Sequence, residues 1–282
     1  MNDKDIQYVC ALVVEAGRLA MLMREGVEVS EKAGPDDIVT AADFALSSLL
    51  CLGLAERFPD DKIVSEEDRD HYFDPSQNRR VWLIDPIDGT QNYMLDDGQY
   101  CVMVGLLVDG EPTFGFVYGP TTGKLYFGGP GYGAYGRNAL ADSSQIKYGP
   151  FTALTSPANA RLLMGSRDRK AHPWVCNLAN VSLVKTGSIG LKVGLILDGR
   201  ADVFAHLSRK LKVWDTAGPA AIALGAGLDV GSLERGTRNK EGLNFPLPQV
   251  LHDSTVIMGR PGALDWCRAN LLQNTLDGTE NN

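Results

Sequence analysis

Cysteine is sparse and unpaired in this sequence: Cys10, Cys51, Cys101, Cys176 and Cys267 are odd in number, scattered, and never spaced as CxxC. Most stand in apolar segments. That pattern argues against a disulfide framework and reads as buried free thiols in a reducing compartment. Positive charge is also short. Lys and Arg number 27 against 35 Asp and Glu, a formal net charge of −8, so the dense basic surface that draws a nucleic acid polymer or an anionic membrane is missing. Histidine is rarer still. His71, His172, His206 and His252 lie far apart, and only His172 has a cysteine, Cys176, at ligand-like spacing, with no second pair to complete a zinc site. The N-terminus lacks a charged stretch, apolar run and small-residue cleavage site, and no apolar segment reads as long enough to cross a bilayer. These absences predict a cytoplasmic protein.

What remains is ordinary globular material, 44% hydrophobic and 22% charged over 282 residues, enough for two intimately packed halves. Ile6, Val9, Cys10, Val13, Ala20 and Met23 recur at helical spacing and predict an N-terminal amphipathic helix. A second helix is expected to open at Asp43, bury Leu46, Leu49, Leu50 and Leu54, and stop at Phe58-Pro59. Ile63-Val64 and Val81 to Ile84 read as buried strands, each running into acidic residues. From Tyr100 to Gly133, β-rich stretches alternate with Asp109-Gly110, Gly119-Pro120 and Gly123-Lys124, the pattern of an antiparallel meander. The polar stretch from Asn138 to Pro157 is the expected boundary between halves 1–150 and 151–282. Beyond it, Leu162 to Met164, Val181 to Val184 and Ala201 to Phe204 read as strands, and Leu191 to Leu197 and Ala217 to Leu224 as helices. Thr275 to Asn282 are polar and expected to fray.

Four acidic segments carry the chemistry. In Asp85-Pro86-Ile87-Asp88-Gly89-Thr90 a strand feeds two carboxylates three residues apart. The proline fixes the turn so that both, with the Ile87 carbonyl, can supply the all-oxygen ligand set that Mg²⁺ prefers. Helical amides starting at Gly89 and Thr90 could grip a phosphate oxygen. Ser65-Glu66-Glu67-Asp68 pairs like charges that a cation or solvent must separate. Trp214-Asp215-Thr216-Ala217-Gly218 and the segment from Asp37 to Asp43, with Lys32 upstream in a flexible Gly-Pro stretch, hold aspartates that read equally well as helix N-caps. Each piece alone is as easily a solvated turn or a cap.

Together, and in this order, D-x-V-T-x-x-D, E-E, D-P-I-D-G-T and W-D-x-A-G resemble the inositol monophosphatase superfamily over roughly Lys32 to Met258. The resemblance implies an α/β fold of alternating αβαβα layers, dimers in common, and sensitivity to lithium. It also implies that Glu66, Asp85, the Ile87 carbonyl, Asp88 and Asp215 bind two or three Mg²⁺ ions around the phosphate of a small-molecule monoester. Asp43 and Thr90 would form a hydrogen-bonded pair that, with Glu66, orients the attacking water, while the Gly89 and Thr90 amides hold the phosphate. The stretch Tyr100 to Tyr118 is a candidate dimer interface.

Substrate choice falls to the second half, to Ser166, Gly187, Ser188, Lys192 and His206. Gly187 to Lys192 and Gly199 to Asp202 look more like bacterial 3′-phosphoadenosine 5′-phosphate phosphatases than inositol-type enzymes. His206 stands near where those carry a glutamate for substrate hydroxyls, and Ser65 replaces their usual glycine. Arg209, Lys210 and Lys212 form a cationic strip that could attract a second phosphate, or simply a solvated loop. The expected reaction is removal of the 3′-phosphate from phosphoadenosine phosphate. Inositol monophosphate and fructose bisphosphate are the alternatives, and a non-catalytic metal- or phosphate-binding protein is the reading from another class.

Overall fold

A computed structural model describes residues 1–24, 29–34, 37–69, 71, 74, 77–141, 144–155, 159–234 and 243–272. The expected frayed tail, from Thr275 to Asn282, lies outside them. In chain order the elements are α1 (Asp3–Met23), β1 (Val29–Gly34), β2 (Asp37–Thr40), α2 (Ala41–Arg57), β3 (Lys62–Ser65), β4 (Arg80–Asp88), α3 (Thr90–Met94), β5 (Cys101–Val108), β6 (Glu111–Gly119), β7 (Lys124–Gly129), β8 (Gly133–Asn138) and β9 (Ile146–Tyr148). They continue with β10 (Ala160–Leu163), α4 (Ser166–Ala171), β11 (Val181–Val184), α5 (Ile189–Leu197), β12 (Val203–His206), α6 (Val213–Gly225), β13 (Asp229–Gly231), β14 (Val256–Gly259) and α7 (Ala263–Cys267).

Strands β3 to β9 form a seven-stranded sheet in sequence order, with β3 and β4 parallel and the rest an antiparallel meander. A five-stranded sheet has the order β11-β10-β12-β14-β13. The two-residue alternation of each strand explains the layering. On β4, Trp82 and Ile84 face α1 and α2, where they join Val9, Val13, Leu46, Leu50 and Leu54. Val81 and Leu83 face the other way, into a core shared with α5, α6 and the inner side of the second sheet through Phe204 and Met258. Val203, Ala205 and Ile257 point outward to a third cluster with Trp266 of α7. The result is the α/β sandwich of alternating layers. Cutting a central leucine such as Leu50 to alanine should cost about 2–5 kcal/mol.

Helix α6 belongs to the second half by sequence but lies on the first sheet. A Cβ at Gly115 would stand 2.0 Å from the Gly218 carbonyl oxygen, and one at Gly105 would stand 2.5 Å from the Gly218 nitrogen. Glycine alone permits that backbone approach.

Several expectations are corrected here. The residues around Lys32 are strand rather than flexible: β1 pairs antiparallel with β2, although the Lys32 side chain lies outside the described residues. The polar stretch from Asn138 to Pro157, read as lacking regular structure, contains β9, which extends the first sheet. Tyr100 and Tyr118 are fully buried, and β5 is an interior strand between β4 and β6, so the exposed part of this stretch is the turn from Asp109 to Glu111. Helix α1 is long and apolar enough to span a bilayer by length and composition alone, contrary to the sequence reading. Burial of Ile6, Val9, Val13, Ala16 and Ala20 against α2 and the sheet accounts for that apolarity.

Candidate active site

Strand β4 does not end before its carboxylates, as the sequence implied, but runs through them. Its partners on β5 are Met103 for Asp85 and Cys101 for Asp88, so three steps on one strand match two on the other. On a regular strand, residues three apart face opposite ways; this bulge absorbs the extra residue and lets both carboxylates approach one site. Pro86 sits inside the bulge, where its missing N–H costs no ladder bond. Glu66 follows β3 beside it, its amide donating to the Ile84 carbonyl at 3.0 Å. Ser65 is tied to α2 by a 2.7 Å hydrogen bond with Ser47.

Asp215 reaches the same place from α6. It is not the N-cap but stands in the first turn, and its Oδ2 accepts the Lys212 amide at 2.7 Å. Asp43 repeats the device on α2. The helix begins at Ala41, and Asp43 Oδ2 accepts from the Thr40 amide at 2.8 Å and the Thr40 hydroxyl at 2.6 Å.

Carboxylate oxygens of Glu66, Asp85 and Asp215 lie within 4.8 Å of one another. Asp85 is 2% exposed, and its Oδ1 is buried without a hydrogen-bond partner. Burial, then the neighbouring Glu66 charge, holds the Asp85 carboxyl well above the usual carboxylate range, and the same two causes act on Asp215. Converging hard oxygen donors, mutual repulsion and an orphaned buried oxygen are what a divalent cation resolves. The residues present therefore fit a metal.

Asp88 is adjacent and differently held. Its Oδ2 accepts from the Ser188 hydroxyl at 2.6 Å and the Gly190 amide at 2.9 Å, and burial raises its carboxyl. Gly89 adopts φ 96°, where a Cβ would meet the Gln99 carbonyl oxygen at 3.0 Å. The Thr90 hydroxyl donates to the Ile87 carbonyl at 3.2 Å.

Glu66, Asp88, Gly89, Thr90 and Asp215 open onto a cleft of about 950 Å³ that Ser166, Gly187, Lys192 and His206 also line, whereas Asp85 and Ser188 do not. Ser188 is fully buried with its hydroxyl spent on Asp88, so it positions a carboxylate rather than meeting a ligand. Lys192 is 2% exposed, its Nζ donating to the carbonyls of Gly187 at 2.6 Å and Ser188 at 3.2 Å. Burial pulls its ammonium down to about 8. His206 and His172 flank the buried Asp168, with Nδ1 to carboxylate distances of 3.9 and 3.5 Å. Desolvation lowers the His206 pKa.

Arg209 of the cationic strip and Asp202 of the Gly199 to Asp202 motif do not line the cleft. Arg209 pairs with Glu234 at 3.0 Å. Asp202 is held by Arg161 and Arg260 at 2.8 and 2.7 Å, a brace between β10, β12 and β14. Arg167, Arg169 and Lys185, which the sequence reading did not single out, line the cleft with Lys210 and Lys212. Lys185 directly follows β11, and ligands of open α/β sheets gather past strand ends, so its position carried a usable signal.

This arrangement, a layered α/β sandwich with clustered carboxylates at the mouth of a polar cleft, defines a class of metal-dependent hydrolase. Comparison with known proteins gives the class its family. The sequence profile of the inositol monophosphatase family matches residues 2–276, and the chain belongs to that family of metal-dependent phosphatases. Similar relatives include the 3′(2′),5′-bisphosphate nucleotidase CysQ of Salmonella typhimurium, 30% identical over 80% of this chain and 89% of its own length. A histidinol-phosphatase of Chlorobaculum parvum is also 30% identical, over 79% and 83% respectively. Among solved structures, CysQ from Bacteroides thetaiotaomicron superposes with TM-score 0.70 at 23% identity, covering 90% of this chain and 97% of that one.

Proposed function

We propose that the chain removes the 3′-phosphate from 3′-phosphoadenosine 5′-phosphate with two or three Mg²⁺ ions. The observation that carries this reading is a single cleft with charge of both signs. Glu66, Asp88 and Asp215 stand beside the reacting position, and Arg167, Arg169, Lys185 and Lys210 line the part built from the second sheet's loops. In a protein of net charge −8, a cationic wall facing a metal cluster suits a substrate with a second phosphate. Likeness to the CysQ nucleotidases supports the same choice.

Glu66, Asp85, Asp88, Asp215 and the Ile87 carbonyl would hold the ions. When bound, Mg²⁺ neutralises the ester phosphate and makes a water molecule acidic enough to attack. The chain supplies orientation. Glu66 and Thr90 would direct the water, the Thr90 hydroxyl donating a hydrogen bond to Asp43 once it leaves the Ile87 carbonyl, and first-turn amides of α3 would take the phosphate oxygens.

The test is phosphate release by the purified protein in Mg²⁺, with phosphoadenosine phosphate, inositol monophosphate, fructose bisphosphate and histidinol phosphate in parallel. The nucleotide should lead. Any other substrate outpacing it many-fold overturns the choice. Release from none of the four would favour a protein that only binds.

A further inference from the structure

Lys212 touches two members of the acidic cluster at once. Its amide donates to Asp215 Oδ2 at 2.7 Å, and its Nζ donates to Glu66 Oε1 at 3.0 Å. The ammonium also stands 5.4 Å from the centre of the Trp214 ring. The side chains of Lys212 and Glu66 are 31% and 19% exposed, and Lys212 itself lines the cleft.

Three carboxylates within 4.8 Å repel one another, and the Lys212 ammonium offsets part of that repulsion in the metal-free protein. A divalent ion competes for the same Glu66 carboxylate and repels the ammonium. A four-carbon stem lets the ammonium leave without moving the helix.

We infer that Lys212 is a tethered counter-ion: it holds Glu66 until metal arrives, then swings into the cleft to meet an anion. This rests on the metal-site reading and goes beyond it. Metal loading thereby hands the cleft a positive charge, so that divalent cation and phosphate bind with positive coupling. Lys212 sets metal affinity against itself, acting as a positioning residue for Glu66.

The experiment is calorimetric titration of Mg²⁺ into metal-free protein without substrate, comparing wild type, K212M, K212Q and K212R. Loss of the competing charge should tighten Mg²⁺ binding roughly fivefold, about 1 kcal/mol, in K212M and K212Q. K212R, which keeps the charge, should bind as the wild type does. Inorganic phosphate titrated into Mg²⁺-saturated protein should bind more weakly to both neutral variants. A merely structural lysine predicts the opposite sign for the metal, because damage near Asp215 loosens it. Unchanged or weaker Mg²⁺ binding in the neutral variants overturns the inference while leaving the metal site standing. Failure of the wild type to take up Mg²⁺ overturns both.

Discussion

The Ser188 hydroxyl donates to Oδ2 of Asp88 at 2.6 Å across 100 residues of sequence. The bond ties the loop before α5 to a carboxylate on β4, and the Cys101 sulfur packs 3.0 Å from the same hydroxyl. Ser188→Ala leaves a buried carboxylate short of one donor, which should cost about 1–3 kcal/mol. Thermal melts should show that loss, and half-saturation by Mg²⁺ in a phosphate-release assay should rise several-fold. A variant with an unaltered Mg²⁺ response would show that the loop does not govern Asp88.

Asp85→Asn should have opposite effects on stability and activity. Removing the one fully buried charge of three crowded carboxylates relieves repulsion and desolvation, so the metal-free protein should gain on the order of 1–3 kcal/mol. Turnover and Mg²⁺ uptake should both disappear. A destabilised metal-free Asp85→Asn would mean that the cluster is already neutralised in some other way.

His252 predicts a pH dependence of stability. It is 1% exposed, its Nε2 lies 2.7 Å from the Thr216 hydroxyl, and desolvation holds its pKa down to about 4, against an ordinary 6.5. Above about pH 6.5 the ring is neutral in both folded and unfolded chains, so its stability is fully present. Between about 6.5 and 4 the unfolded chain binds the proton first, and stability of order 3 kcal/mol is lost as pH falls through that window. His252→Asn should be weaker at neutral pH but flatter across the window, as read from melting temperature against pH. Parallel curves would place the sensitivity in other groups.

The cationic wall gives a kinetic prediction. Replacing Lys185 and Lys210 together by methionine should raise KM for the bisphosphate by roughly 5–50-fold, about 1–2.3 kcal/mol. For adenosine 3′-monophosphate, which has no second phosphate, it should change KM little. Equal losses on both substrates would detach these lysines from second-phosphate recognition.

Much of this was legible in the sequence, and the misreadings share physical causes. Asp43 and Asp215 both read as N-caps, yet each lies inside its helix and accepts the amide of the residue three earlier, Thr40 or Lys212. A carboxylate reaching back from the third helical position gives the same local pattern as one that starts the helix. Pro86 read as fixing a turn, whereas a bulge carries β4 past it to Asp88. The meander was readable from its turns: Asp109 and Gly110 have φ of 53° and 81°, the left-handed pair that Asp-Gly favours in a tight hairpin. Tyr100 and Tyr118 could not be told from surface aromatics, because alternation does not say which face of a sheet is covered. The roles of Ser188 and Lys192 depend on partners far away or on loop carbonyls that no spacing rule specifies.

The seating of α6 on glycines has one further consequence. With main chain resting on main chain at Gly105, Gly115 and Gly218, no rotamer intervenes between the first sheet and the ridge that delivers Asp215. Sheet and helix are therefore set against each other without an adjustable side chain, and Gly115→Ala would displace Asp215, less than one turn from Gly218 along α6, while touching nothing in the cleft.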